Sequence, residues 1–415
     1  MAIIICLYIL MFCMLKKHLN KLNKTTKTLI IGGLIFELLL LLIYRIDLFN
    51  LGRDVYYSDA ETYWQHTLEL INKGHTSGYN SLYYYMCYFI QKTSPFIWVG
   101  WNNIFNITCI NFSIVIIIIN LLKNDEKNIK RVNSLLFFTM YNPFIIYGLM
   151  RNLKDSLFMF MTFIVGYLLL ELISNKNKIK KLIIIFMLLV MTYLFVMIRP
   201  WAFIIPIIAL ICTLMHKLFR KNKKINITKV LISLLIIIIL MVAICYMVPS
   251  IYINIKLWTP IVLKSFTDRS ILMNFLGIFR FIFAPGPLRS FMGHEYFEHY
   301  LITGNIMSGI GQLMWWSSIL IMLVTILKNK FKFKYLENNL FTVYLAIVTI
   351  IYTFIYVFQY GGIGEIRLKS VLYMFIYSIF FGIYSVLPYQ ENKKMYNSFL
   401  IIMLIIFILI TWVGM

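Results

Sequence analysis

The chain has 415 residues, 61% of them hydrophobic and 13% charged. A soluble globular domain carries about 25% charged residues, so this composition and a mean hydropathy of +0.82 exclude a soluble globule. The net charge of +23 does not indicate nucleic acid, because the Lys and Arg residues punctuate long apolar runs.

Those runs predict an all-α, polytopic membrane protein, a single integral membrane domain over 1–415. No period-2 alternation points to a β-barrel. In chain order, helices are expected at 2–14, 29–45, 96–120, 134–150, 157–173, 182–198, 202–219, 230–248, 308–327, 340–358, 371–386 and 399–415, about twelve in all. The first run lacks a charged leader and a small-residue cleavage site, so it reads as a short span. Connections at 15–28, 121–133, 174–181, 217–229, 328–339 and 387–398 hold 25 of the 39 Lys and Arg residues, which assigns them to the cytoplasm. The six cysteines fall in apolar or aromatic segments without metal-like spacing and read as packing residues.

Two long segments then face outward. The first, 46–95, holds an expected helix from Thr62 to Ile71, a Gly/Ser/Asn turn, and a tyrosine-rich stretch from Leu82 to Ile90 suited to the interface. The second, 249–307, carries Pro260, Gly277, Pro285, Gly286 and Pro287 among apolar residues and is expected to re-enter the membrane in part, against protein. Arginine and lysine are distributed oppositely. Only Arg131 and Arg220 of ten arginines fall in inner connections, whereas lysines fall there 23 times of 29. Topology signalling treats the two alike, so outer arginines suggest planar, bidentate binding of phosphate or carboxylate. The competing reading pairs them with outer acids or lipid phosphates.

Several constellations lie on this outer side. Asp59 and Glu61, with Asp54 before them, precede the expected helix near Thr62. They read either as cap and first-turn acids or, for Asp59, as a general base taking a hydroxyl proton, with Tyr63 and Trp64 offering faces to a sugar. Tyr141-Asn142-Pro143 lies inside one span, followed by Tyr147 and the tight turn Arg151-Asn152-Leu153-Lys154-Asp155-Ser156. That turn is either a charged hairpin or a phosphate clamp of Arg151 and Lys154 oriented by Asp155. Arg199 sits beside Pro200 and Trp201 at another outer turn, and Arg280 and Arg289 flank Pro285-Gly286-Pro287. His294, Glu298 and His299 could meet on a helix face, but two loop histidines are common and no cysteine or further acid is nearby, so no metal is expected; no cofactor is expected either. Gly361-Gly362-Ile363-Gly364 reads as flexible backbone that lets Glu365 and Arg367 approach a ligand. Glu37 is an acid inside a span, functional or paired.

Taken together, Ser58-Asp59-Ala60-Glu61-Thr62-Tyr63, Tyr141-Asn142-Pro143, Lys154-Asp155-Ser156, Pro285-Gly286-Pro287 and Glu365-Ile366-Arg367 resemble the GT-C class of polytopic glycosyltransferases. They also resemble the related Wzy-like polymerases that join oligosaccharide repeat units outside the bacterial membrane. The resemblance implies that Asp59, with Glu61, is catalytic, and that Arg151, Lys154, Arg199, Arg280, Arg289 and Arg367 hold a polyprenyl phosphate or pyrophosphate. It assigns Asp155, Glu365, Tyr63 and Trp64 supporting places. It also implies a bacterial plasma membrane location, lipid-linked saccharide donor and acceptor, and other polysaccharide-assembly proteins as partners. The sequence departs from that class in an extra span before the first loop and in Ala60 between the two acids. A transporter or flippase of lipid-linked oligosaccharide is the alternative.

Overall fold

The computed structural model describes residues 1–56, 58–76, 81–124, 129–199, 203–221, 270–293, 301–328, 339–360 and 365–383, with a few isolated positions besides. Among these, every regular element is helical. In a bilayer a helix satisfies its own backbone polar groups, and apolar runs of this length leave the chain little else to form. In order they are α1 (Ala2–Lys16), α2 (Lys24–Asn50), α3 (Ser58–Lys73), α4 (Ser81–Lys92), α5 (Gly100–Asn124), α6 (Ile129–Met140), α7 (Pro143–Met150), α8 (Asp155–Ser174), α9 (Lys178–Ile198), α10 (Ile204–Lys221), α11 (Ile271–Phe283), α12 (Pro287–Phe291), α13 (Ile302–Lys328), α14 (Leu340–Tyr360) and α15 (Ile366–Ile383).

Among the described residues, six helices are long and apolar enough to cross a membrane: α2, α5, α8, α9, α13 and α14. A seventh crossing results if the bent pair α6 and α7 counts as one span, and α1, α10 and α11 are shorter apolar helices. This makes a helical membrane protein. Seven of the twelve expected spans correspond to these helices, the bent pair counted as one. The stretch 230–248 and nearly all of 399–415 lie outside the described residues, and α1 has only 15 residues.

α5 forms the axis of the bundle, with 94% of its apolar stretch buried; α2 and α9 bury only 28% and 22% and present apolar faces outward. α8, α7, α1, α6 and α4 surround α5, while α7 also packs on α15 and α13, and α14 on α10 and α15. The break in the α6–α7 span has a local cause. Asn142 caps α7, its side chain accepting from the amides of Phe144 (3.0 Å) and Ile145 (3.4 Å), and Pro143 occupies the first helical position. The two helices meet at 56°, and the Tyr141 hydroxyl anchors the bend by donating to the Leu29 carbonyl at 2.9 Å.

The ends of the bundle differ in chemistry. At the lysine-rich end Lys123 of α5 pairs with Glu171 of α8 at 2.5 Å. The opposite end gathers α3, the α7–α8 turn, the end of α9 and the start of α15. Here α3 begins four residues earlier than expected, so Asp59 and Glu61 lie in its first turn. α4 is less superficial than its tyrosines suggested, since Tyr83, Tyr84, Cys87 and Ile90 are buried while Tyr85 and Phe89 remain exposed. In the second long segment, α11 ends inside the bundle. The Ile282 carbonyl accepts from Trp315 Nε1 (2.9 Å) and the Tyr373 hydroxyl (3.4 Å), and the Ala284 carbonyl accepts from Lys369 Nζ.

Glu37 of α2 is fully buried and accepts a hydrogen bond from Asn111 Nδ2 at 2.7 Å. It therefore belongs to a polar contact between α2 and α5, away from the charged end.

Candidate functional site

The site is built around the tight turn between α7 and α8. Its carbonyls are buried, and a buried carbonyl needs a donor. α5 supplies donors from residues near one another on its first turns. Asn103 Nδ2 donates to the Met150 carbonyl (2.9 Å), and Asn106 Nδ2 donates to the carbonyls of Arg151 and Leu153 (3.2 Å to the latter). Asn152 then links the turn to three elements. Its Oδ1 accepts from Asn102 Nδ2 and from the Tyr83 hydroxyl, both at 3.1 Å, and its Nδ2 donates to the Ala60 carbonyl of α3 at 2.9 Å. The asparagines thus set the position of α3 against the turn.

α3 follows from its own pattern. Ala60, Tyr63, Trp64, Thr67 and Leu70 recur at helical spacing and are buried. Asp59 and Glu61 flank that stripe. Residues two apart on a helix diverge by about 200°, so the two carboxylates leave α3 in opposite directions.

Asp59 meets the cations. Arg367 Nη1 lies 2.7 Å from Asp59 Oδ2 and 3.6 Å from Asp155 Oδ2, and Arg367 Nε donates to Glu365. Arg199 Nη2 lies 2.5 Å from Asp155 Oδ1, its Nη1 bonds the Tyr356 hydroxyl, and its guanidinium stacks near Phe158 and Tyr356. Asp155, 1% exposed, opens α8, where the helix dipole also favours a carboxylate. Two arginines from separate helices therefore share one buried aspartate.

Two further cations rest on aromatic rings: Arg151 over Tyr147 at 4.9 Å and Lys154 over Tyr63 at 5.4 Å. Lys154 is buried, and among the described residues its ammonium makes no ion pair. Burial, then the neighbouring Arg199 and Arg367 charges, hold its pKa well below the ordinary lysine range, against the pull of Asp155 and Asp59. The Tyr63 phenol is pushed up by burial and by Asp59. Arg151, Lys154, Arg199 and Arg367 outnumber Asp59, Asp155 and Glu365, of which Asp59 is 45% exposed. With Lys154 protonated the positive charges are in excess, and an entering anion favours that protonation.

Of the residues singled out in the sequence, Asp59, Tyr63, Lys154, Asp155, Arg199, Glu365 and Arg367 come together, with Arg151 on the same turn. Glu61 and Trp64 face a separate cleft. Arg280, in the last turn of α11, and Arg289, in α12, pair with neither Asp59 nor Asp155. Pro200, Trp201, His294, Glu298, His299 and the glycines at 361–364 lie outside the described residues. Among the described residues no group of three or more His, Cys, Asp or Glu side chains could hold a metal. Asn102, Asn103, Asn106, Asn152 and Tyr356 were not anticipated. The signal was available in the run of amide side chains along one apolar helix, where each needs a partner.

No known protein family, no curated protein and no solved structure matches this chain.

Proposed function

We propose that this chain is a membrane glycosyltransferase that takes its donor from a polyprenyl phosphate or pyrophosphate carrier at the outer face. Its preferred activity is polymerisation of oligosaccharide repeat units into a surface polysaccharide. The observation that supports this reading is the meeting of Asp59 with Arg367, Arg199 and Lys154, three cations from three separate segments, at the end of the bundle remote from the lysine-rich connections.

In this reading the carrier's phosphate binds against Lys154, Arg199, Arg367 and Arg151. An acceptor hydroxyl oxygen attacks the anomeric carbon of the donor as the bond to the phosphate oxygen breaks. The hydroxyl proton passes to Asp59, and the electron pair of the broken bond stays on the phosphate, where the guanidinium groups screen it. Arg367 orients Asp59 before the reaction. Once the phosphate enters, Arg367 shares its charge with the new anion, and Asp59 becomes the stronger base.

The test is glycan chain length in a deletion strain complemented with Asp59→Asn. Single repeat units should accumulate on lipid at normal protein abundance, and wild-type chain length would end the assignment. A second reading, a flippase for lipid-linked oligosaccharide, draws support from the broken α6–α7 span and from α11 ending within the bundle, features common in transporters. It predicts that the accumulated units stay on the inner leaflet, shielded from an added glycosidase.

A further inference from the structure

α3 separates two environments. On the side of Asp59 and Tyr63 stand the cations. On the other side Glu61, Trp64, Gln65 and Leu68 line a cleft whose opposite wall is Gly52, Arg53, Asp54 and Val55. Its volume, about 440 Å³, is of the size that takes a small molecule.

The wall opposite α3 is held in shape by the end of α2. Gly52 adopts φ +64°, a conformation that favours glycine, while the Arg53 amide donates back to the Leu48 carbonyl (3.0 Å) and the Gly52 amide to the Phe49 carbonyl (2.9 Å), a Schellman closure. Arg45 Nη1 fixes the next residue through the Asp54 carbonyl at 2.6 Å, and the Arg53 guanidinium lies 5.6 Å from the Tyr56 ring. Among the described residues, the Glu61 carboxylate and the Gln65 amide make no hydrogen bond and no ion pair. Both are exposed side chains that line the cleft.

The lining combines carboxylate acceptors, an amide that both donates and accepts, a guanidinium donor, and the apolar surfaces of Trp64 and Leu68. Adjacent hydroxyls of a sugar ring need paired donors and acceptors in this way, and the ring's C–H face needs an apolar wall. Charge makes the choice sharper. Asp54 and Glu61 are matched by Arg53 and by Arg45 at the Asp54 carbonyl, so the cleft holds no excess positive charge that would favour phosphate.

We propose that this cleft binds a pyranose ring of the acceptor glycan, with Glu61 and Gln65 as hydrogen-bonding residues and Leu68, beside the edge of the mostly buried Trp64, as its apolar contact. The proposal rests on the transferase reading and deepens it. Glu61 then recognises the acceptor and takes no proton, and α3 keeps the anionic carrier and the sugar on opposite sides until the acceptor hydroxyl reaches Asp59 at the helix's first turn.

The experiment uses the full chain in lipid nanodiscs. Saturation-transfer NMR is run with a mixture of methyl hexopyranosides and methyl N-acetylhexosaminides, with Glu61→Gln and Gln65→Ala as variants. Wild type should transfer saturation to at least one glycoside, and each variant should weaken that binding about tenfold, roughly the loss of one well-placed hydrogen bond. Absence of transfer to every glycoside, or transfer unchanged in both variants, overturns the proposal. Binding of inorganic pyrophosphate is measured in parallel. It should survive Glu61→Gln and be weakened in Lys154→Met. If glycosides bind in the cleft but pyrophosphate never binds wild type, the carrier reading fails while the sugar site stands. A lipid-linked glycan that competes with the bound glycoside identifies the acceptor arm as the source of the ring, and a free sugar that alone competes would overturn its assignment to the acceptor.

Discussion

Arg367 joins Asp59 to Asp155 through a single guanidinium group, 2.7 Å from one carboxylate and 3.6 Å from the other. It thereby ties the start of α15 to the first turns of α3 and α8. A lysine at this position offers one point charge in place of a planar fork and cannot hold both acids with the same geometry. Arg367→Lys is therefore expected to lower polymer formation by about 10- to 100-fold at normal abundance, measured as glycan chain length. Lys24→Arg, at the far end of the bundle, should leave it unchanged, and equal effects would remove the argument from guanidinium geometry.

Asp155 is buried against Arg199 at 2.5 Å, so removing its charge leaves Arg199 without its carboxylate partner there, while Arg367 keeps Asp59 and Glu365. Asp155→Asn should destabilise the protein by about 3–5 kcal/mol, the usual cost of breaking a buried pair from one side. A thermal shift of the detergent-solubilised protein reads this out. Asp155→Leu combined with Arg199→Met should recover much of the stability and none of the activity. A double variant as unstable as Asp155→Asn would show that the pair acts through packing.

Lys154 brings pH dependence. Its pKa in the folded protein lies below that of the unfolded chain, so between the two values the unfolded state binds more protons and stability rises with pH. An anion entering the site raises the pKa again, and binding takes up a proton. Affinity for pyrophosphate should accordingly fall as pH rises through that window, by up to about tenfold per pH unit. In titration calorimetry the observed enthalpy should depend on the buffer's ionisation enthalpy. Lys154→Met should flatten both effects, and a pH-dependent Lys154→Met would move the linkage to another group.

Asn152 is expected to act by position. Asn152→Leu removes the bond to the Ala60 carbonyl and leaves buried groups unpaired, a loss of about 1–3 kcal/mol. Turnover should then fall more than pyrophosphate affinity, because the cations remain while Asp59 loses its placement. Equal loss of both would make Asn152 a general scaffold residue.

The broad architecture was legible in the sequence because it depends on local patterns. Apolar runs gave the helices and lysine density marked one end of the bundle, whereas 134–150 was read as one continuous helix although Asn142-Pro143, a cap followed by proline, carried the sign of a break. The helical start at Ser58 was set later than it is, because Asp59 and Glu61 resemble loop acids when their tertiary partners are unknown. Composition could bring Asp59, Asp155, Arg199 and Arg367 to the same side, but only packing around α5 could bring them to one point. The amides of α5 were passed over because an asparagine within an apolar run carries no local sign of its partner in the Met150–Leu153 turn. Glu61 was grouped with Asp59 by nearness in sequence, whereas on a helix that spacing sends the two apart.

The bend before α7 also governs depth. Eight residues of helix extend about 12 Å, and turning them through 56° shortens their climb along the α6 axis by about 5 Å. The Arg151–Asp155 turn is correspondingly sunk into the bundle instead of standing proud of it. Under the proposed function, a long isoprenoid chain would remain among its neighbouring lipids while its charged head is handled, with no machinery needed to lift it out.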